Sequence, residues 1–486
     1  MVTRTFRTLK VAGSTIYDYK FCSEREPLED VHERVANRVL NLCQKNGGLY
    51  VKLGQGIASM NHILPPQFNR VFSVLHDKAP MVDWASVQKT IQADFGRPYN
   101  ELYATFDHQA VASASIAQVH KATLHDGTSV AVKVQKPCIA RQVDLDLMTY
   151  RLIVWVFERA FDLPMYWTVA YTEENLRKEL DFQHEAANSN KAKEQLSTFD
   201  NVYVPTVYSD RTTKRVLTSE WIDGAKMNDP EAMDRIGVNV DEVVKTLVNV
   251  SGFQVFISGF CHADVHFGNL LVRKKANGHE LVILDHGLYV EESNKFREEY
   301  CQLWKSMFLL DVDGMKEICK KWGITDHELF ASFTLMKPYS TKRPVASKVS
   351  RAEVMQLQRQ AKDRVRRLLE DTSLFPKELI FIGRSMNIVR ANNKHLGSPV
   401  NRVNVLVSWA NQGTKRSNAK YSWYLHEFRF RIQMFVVDIF YYSSRLWQKL
   451  NETLGYKVDS FEGVLEKALP TEALGFSSEI SESGMD

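Results

Sequence analysis

Between Cys261 and Val290 the chain reads CHADVHFGNLLVRKKANGHELVILDHGLYV, and few folds can use such a stretch. Asp264 and Asn269 stand five residues apart, and an apolar run, Leu281-Val282-Ile283-Leu284, then delivers Asp285 followed by His286-Gly287. Core packing asks for neither carboxylate. A loop Asp, an Asn five residues on and an Asp-x-Gly after a strand are, in that order, the parts of a kinase-type phosphoryl-transfer site. The chemistry explains the residue types. Mg²⁺ takes hard oxygen ligands and keeps several waters, so one amide oxygen and one carboxylate beside the phosphates suffice. Gly268 and Gly287 permit turns beside those ligands that a side chain would obstruct. Either half of the pattern alone is an ordinary Asp-rich turn; the joint pattern asks for a third part upstream.

That part is a lysine. Gln118 to Leu124 reads as a strand, Asp126-Gly127 as a hairpin turn and Ser129 to Gln135 as the partner strand. The partner contains Val130-Ala131-Val132-Lys133, and a lysine in a hydrophobic strand is the group that pairs the α- and β-phosphates in kinases. At a sheet edge the same lysine would only discourage aggregation. Just before the hairpin, Ala112-Ser113-Ala114-Ser115-Ile116-Ala117 places small residues where a phosphate-covering loop would carry glycines. Such a site also requires a glutamate to fix its lysine. Residues 139–198 read as helical and offer Glu179, Asp181 and Glu185. Asp181 and Glu185 lie one helical turn apart and can point the same way, although charged faces of this kind are usually just solvated.

At 486 residues the chain exceeds the usual single-core limit, so two or more lobes are expected. Hydrophobic content of 44% and charged content of 25% are ordinary for a globular protein, and a net charge of +4 gives no ground for a nucleic-acid partner. The six cysteines are scattered, without paired spacing, and read as reduced thiols of a non-secretory compartment rather than as metal ligands. No stretch supplies the eighteen or so apolar residues that span a bilayer. The first seventeen residues carry Arg4, Arg7 and Lys10, several Thr and Ser, and no acid before Asp18. That composition suits a mitochondrial transit segment and equally a basic arm or a chain cut at a domain edge.

Residues 29–75 read as helical, with Val31, Val35, Val39 and Leu42 on one stripe and Pro65-Pro66 as a break. Within them lies Gly47-Gly48-Leu49-Tyr50-Val51-Lys52-Leu53-Gly54-Gln55, where a lysine stands in an apolar setting. A snorkelling surface lysine is one account of it. Residues 84–106 read as one more helical segment, residues 202–207 and 216–222 as strands, and Asp223-Gly224 as a hinge. Val240, Val243, Val244 and Leu247 form the core face of a helix leading to the Asp264 loop, and residues 296–335 are helical. Residues 342–367 are strongly basic, which suits a solvated helix face or an anionic membrane surface. Tyr421 to Trp447 is aromatic-rich, and the chain beyond Asp459 is acidic and Ser-rich.

Taken together these residues resemble the UbiB/AarF-domain atypical kinases, closest to the mitochondrial ADCK-type branch, over roughly residues 30–410. In that family the Lys-x-Gly-Gln signature corresponds to Lys52, Gly54 and Gln55, and the alanine-rich loop to Ala112 through Ala117. The strand lysine corresponds to Lys133, the Glu-x-Asp signature to Glu179 and Asp181, and the lysine's partner to Glu185. Asp264, Asn269 and Asp285 match the catalytic and metal-binding positions. Val265 and Phe267 occupy places where the family usually has prolines, which puts the loop's rigidity in question, and His286 replaces the usual Phe.

The resemblance implies an α+β, two-lobed protein-kinase-like fold with a helical extension lying where a peptide substrate would dock. The expected parts are a basic, targeting-type segment (1–28), the extension (29–106), an N-lobe with a helical insertion (107–224), a C-lobe (225–410) and a C-terminal helical segment with an acidic tail (411–486). The expected cofactors are ATP and Mg²⁺. Lys133 would position the nucleotide, Glu185 would hold it, Asn269 and Asp285 would carry the metal, and Asp264 would act as a base-like group. The loop Ala112, Ser113, Ala114 and Ser115 would cover the phosphates, and Lys52 with Glu179 or Asp181, next to Gln55, would lock the extension. The implied function is an atypical kinase or ATPase in mitochondrial lipid or quinone homeostasis, with peripheral contact to anionic or mitochondrial lipid; outside mitochondria, the cytoplasm is the expected location. Its rivals are a nucleotide-switched scaffold without turnover and a true protein kinase.

Overall fold

Valines and leucines repeating at three and four residues give the first helices a single apolar face, and the core of the N-terminal region follows from it. The computed structural model describes residues 2–23, 25–58, 65–76, 81–276, 278–335, 373–414, 420–454, 456 and 458–467. The basic run 342–367 and the acidic tail beyond 467 lie outside the described residues. The chain forms two units: Met1–Lys226 with Gly268–Arg273 and Val282–Tyr289, and Met227–Phe267 with Lys274–Leu281 and Val290–Asp486.

In the first unit, α1 (Val2–Tyr17) is followed by α2 (Leu28–Asn46), α3 (Leu49–Ala58) and α4 (Pro66–Phe72). Val31, Val35, Leu42, Val51, Phe68 and Phe72 pack together as their core. Arg4 of α1 pairs with the buried Asp146 at 2.6 Å, and Arg7 donates to Asn46 Oδ1 at 2.6 Å, so the basic N-terminal helix is built into this unit.

Residues 84–106, expected as one helix, divide into α5 (Trp84–Phe95), α6 (Tyr99–Leu102) and strand β1 (Thr105–Phe106). Gly96, at φ +69°, caps α5 through its N–H to Gln92, and Pro98 precedes α6. Next come β2 (Ala112–Ser113), β3 (Ala117–Thr123) and β4 (Ser129–Gln135). The β3–β4 hairpin is antiparallel with Thr123 opposite Ser129, around a turn that uses the positive φ of Gly127. β6 (Val216–Glu220) pairs with β4, giving the order β1-β3-β4-β6 with β2 on β3. The strand expected over 202–207 is only β5 (Val202–Tyr203), extended by a bridge from Val207 to Ser219.

Residues 139–198, expected to be helical, form α7 (Pro137–Phe161), α8 (Thr168–Glu179) and α9 (Phe182–Gln195). Asp162 adopts a left-handed conformation after α7, and Asp181 starts α9 by accepting the Gln183 N–H. Then follow β7 (Ala225–Lys226), β8 (Phe260–His262), β9 (Leu270–Lys275), β10 (Gly278–Ile283) and β11 (Tyr289–Glu291), with a second sheet in the order β5-β10-β9-β7 and β8 paired with β11.

The second unit is mostly helical: α10 (Pro230–Arg235), α11 (Val240–Phe253), α12 (Asn294–Leu309), α13 (Val312–Lys321), α14 (His327–Leu335), α15 (Glu378–His395), α16 (Arg402–Gly413), α17 (Lys420–Thr453) and α18 (Phe461–Lys467). The region expected to be helical over 296–335 is three helices, divided where Leu310 turns left-handed and Asp311 caps α13, and again at Gly323. Helix α16 lies against α11 closely enough that a Cβ on Gly252 would meet the Trp409 ring at 2.5 Å. Arg402 and Glu462, 1% and 2% exposed, form a buried ion pair at 3.0 Å that ties α16 to α18. Among the described residues no helix is long and apolar enough to cross a membrane.

Candidate functional site

Strand alternation decides where Lys133 goes. Val130, Val132 and Val134 enter the core against Val87 and Ile91 of α5, so Ala131 and Lys133 occupy the opposite face. That face meets α9, whose Phe182 and Ala186 pack with Ile116, Ala117 and Leu217. Glu185, one turn into α9, therefore arrives at the lysine: Lys133 Nζ donates to both its carboxylate oxygens at 2.8 and 2.9 Å, and to Asp285 Oδ2 at 3.1 Å. The Phe182 ring centroid lies 5.2 Å from the same ammonium.

All three ammonium hydrogens of Lys133 are thus engaged by two carboxylates. Burial works against the charge, but Asp285 and Glu185 outweigh it and hold the lysine above its ordinary pKa. Burial, the larger influence on Glu185, raises it to about 7 against the pull of Lys133. Asp285 goes the other way: burial is overcome by Lys133, Lys52 and the Gly287 N–H, and it stays well below the usual carboxylate range.

Asp285 Oδ1 accepts the Gly287 N–H at 2.9 Å, and a Cβ on Gly287 would lie 3.1 Å from that oxygen. Glycine keeps the turn close to the carboxylate. The neighbouring His286 is buried and satisfied at both nitrogens: Nε2–H donates to the Ile283 carbonyl at 3.1 Å, and Nδ1 accepts from Tyr289 Oη at 2.9 Å. Asn188 of α9 donates to the His286 carbonyl at 3.0 Å. A ring able to make these bonds sits where the resemblance has Phe.

Asn269 is held beside this turn, because its carbonyl accepts the Leu284 N–H at 2.9 Å. Asn269 and Asp285 are hard oxygen donors, and the Asp285 side chain is 36% exposed where that of Glu185 is 3% exposed. This donor chemistry fits Mg²⁺.

The extension adds a second cation, Lys52, whose charge is felt at Asp285. Lys52 pairs with the buried Glu179 at 3.0 Å, which separates Glu179 from Asp181 as its partner, since the Asp181 carboxylate caps α9. Gly54 packs α3 tightly, a Cβ there overlapping Leu75 Cδ1, and Gln55 Nε2 donates to the Leu75 carbonyl at 3.0 Å. The small-residue loop is a strand end and a tight turn. Ala112 and Ser113 pair with Val119 and Gln118, and the Ala114 N–H bonds the Ala117 carbonyl at 2.8 Å, with Ser115 buried. Lys136, which sequence reasoning missed, donates to the Ala114 carbonyl at 2.6 Å, and burial lowers its pKa to about 8.

Asp264 belongs to the second unit, where its buried carboxylate accepts from Arg384 Nη2 of α15 at 2.7 Å. Nothing in the spacing around Asp264 points to Arg384. Among the described residues no group of three or more His, Cys, Asp or Glu could hold a metal.

Residues 74–319 match the model of the ABC1 atypical kinase-like domain. An ABC1 family protein of Schizosaccharomyces pombe is 39% identical over 85% of this chain and 79% of its own. The ABC1 family protein lscO of Purpureocillium lilacinum is 34% identical over 89% of this chain and 79% of its own. AarF domain-containing protein kinase 1 of Mus musculus is 34% identical over 76% of this chain and 71% of its own.

Proposed function

Because this chain belongs to the ABC1 (AarF) atypical kinase-like family, we propose that it binds Mg-ATP and turns it over as an atypical kinase or ATPase in mitochondrial lipid or quinone homeostasis. The observation that carries the reading is one ammonium, Lys133, shared between Glu185 and Asp285. Glu185 fixes the lysine, and a nucleotide phosphate takes over the donor now given to Asp285. Asn269 and Asp285 hold Mg²⁺, which neutralises charge on the phosphates. The turn from Ala112 to Ser115, steadied by Lys136, covers them. Asp264 acts as the base-like group toward an acceptor or water. Lys52 and Glu179 lock the extension, residues 29–106, with Gln55 fixing its inner packing and Asp181 ordering α9. Residues 107–224 and 225–410 serve as the two lobes.

Lipid contact is peripheral in this reading. The outer face of α17 exposes Phe428, Ile432, Phe435, Ile439, Tyr442 and Leu446, an apolar and aromatic stripe of the kind that lies in a bilayer interface. The expected basic run would add attraction to anionic headgroups. The composition of the N-terminal segment, together with the resemblance, supports a mitochondrial location, which fractionation of tagged protein tests.

The functional experiment is ATP hydrolysis by purified protein with and without anionic liposomes, with lipids and peptides checked as phosphoryl acceptors. Turnover that rises with liposomes, and lipid rather than peptide as acceptor, is the expected outcome. Binding without turnover would replace the reading with a nucleotide-switched scaffold, and efficient peptide phosphorylation would replace it with a protein kinase.

A further inference from the structure

The loop that carries Asp264 has Val265 and Phe267 where the resemblance would place prolines, so something else must hold its shape. Helix α15 does so from one face. Arg384 Nη2 donates to Asp264 Oδ1 at 2.7 Å, and Ser385 Oγ donates to the His262 carbonyl at 2.7 Å. Two turns further on, Asn392 Nδ2 donates to the Val265 carbonyl at 2.9 Å, and the His395 ring lies 5.2 Å from that of Phe267. At 3.6 residues per turn, positions 384, 385, 392 and 395 fall within about 100° of arc. Within the loop, the Asp264 N–H donates to His262 Nδ1 at 3.1 Å.

We propose that α15 is the element that positions the Asp264 loop, with Arg384 as the positioning residue for Asp264 and with Ser385 and Asn392 replacing the backbone restriction that prolines would supply. The proposal rests on the reading of Asp264 as the base-like group. A proline limits one φ angle of its own. Hydrogen bonds from a helix to the carbonyls on both sides of Asp264 restrain the same backbone from outside, and the charge-assisted Arg384 bond selects one orientation of the carboxylate. All these donors are buried or nearly so: Ser385 is 1% and Asn392 3% exposed, and the Arg384 side chain 14%. Arg384 Nε is also buried without a partner among the described residues, so part of the guanidinium's hydrogen-bonding capacity is given up at this position. Arg384 acts through Asp264.

The test uses the full chain with Arg384→Gln, Arg384→Lys, Arg384→Ala and Asn392→Ala. Misplacing a reacting group by about 1 Å costs on the order of 10²-fold in rate, so Arg384→Gln should lower kcat by roughly that factor while the nucleotide affinity read from Mg-ATP thermal shifts is unchanged. Arg384→Lys should recover part of kcat, and added guanidinium should restore part of the activity of Arg384→Ala. Hydrogen exchange at residues 262–267 should quicken in Arg384→Gln and Asn392→Ala, with exchange around Lys133 unaltered. Wild-type loop exchange in these variants, or equal falls in kcat and nucleotide affinity, overturns the proposal. If Arg384→Gln does not fold, Arg384→Lys and Asn392→Ala decide by the same loop exchange. A wild type without turnover defeats the enzymatic reading instead, and loop exchange still decides the role of α15.

Discussion

Glu292 shows how far a single side chain can depart from its ordinary behaviour in this protein. Both its carboxylate oxygens are buried without a hydrogen-bond partner among the described residues. Burial, reinforced by Glu378 and opposed by Arg297, raises its pKa to about 9. The nearby Cys261 and Cys301 thiols and the Tyr300 hydroxyl, themselves pushed up by burial, stay protonated in the same range. A carboxyl whose folded pKa exceeds its unfolded value binds more proton when folded, so stability is full at acid pH and falls as pH rises toward 9. The slope approaches about 1.4 kcal/mol per pH unit for one proton. Glu292→Gln should flatten that decline. Denaturant titrations at pH 6 and 8.5 check it, and parallel slopes in both proteins would refute it. His286 gives a second prediction at this scale. His286→Phe removes both ring hydrogen bonds, to the Ile283 carbonyl and from the Tyr289 hydroxyl, and should cost roughly 1–3 kcal/mol; a melting curve indistinguishable from wild type would show that the ring's hydrogen bonds contribute nothing.

At the scale of elements, the extension is joined to α7 and α8 through Gly48, where a Cβ would meet Ile139 Cδ1 at 2.8 Å, and through the Lys52–Glu179 pair. Removing one member of a largely buried pair costs about 3–5 kcal/mol, whereas replacing both members with apolar groups is often nearly neutral. Lys52→Met should therefore destabilise strongly, and Lys52→Met with Glu179→Leu should regain much of the loss. A double variant no better than the single one would mean that Lys52 acts mainly through Asp285. The elements also show what can be read from sequence. β4 was legible because a period of two puts Lys133 opposite three valines. The choice between Glu179 and Asp181 as the partner of Lys52 was not, because the break at Leu180-Asp181 depends on a distant contact, Phe182 N–H to the Lys214 carbonyl. Arg384 was invisible for the same kind of reason. It meets Asp264 across 120 residues from a helix whose pattern is ordinary. Lys136 carries no sequence signal of its bond to the Ala114 carbonyl.

For the whole molecule, family membership was legible from motifs because phosphoryl transfer restricts residue types, whereas lengths of helices were set by caps and left-handed residues that periodicity does not register. The exposed stripe of α17 leads to a whole-protein expectation. Replacing Phe435, Ile439 and Leu446 with Ser should abolish binding to anionic liposomes in flotation and leave the melting temperature near wild type, since these side chains face outward. Retained flotation would remove α17 from the membrane reading. The central claim is that Lys133, Glu185, Asn269 and Asp285 form a Mg-ATP site, and thermal melting under a Mg-ATP titration tests it most directly. A ligand at about a hundred times its Kd adds roughly 2.7 kcal/mol. The account predicts a melting temperature that rises with Mg-ATP in the wild type and loses its metal-dependent part in Asp285→Asn; a wild type with no metal-dependent shift, or an unchanged shift in Asp285→Asn, would contradict it.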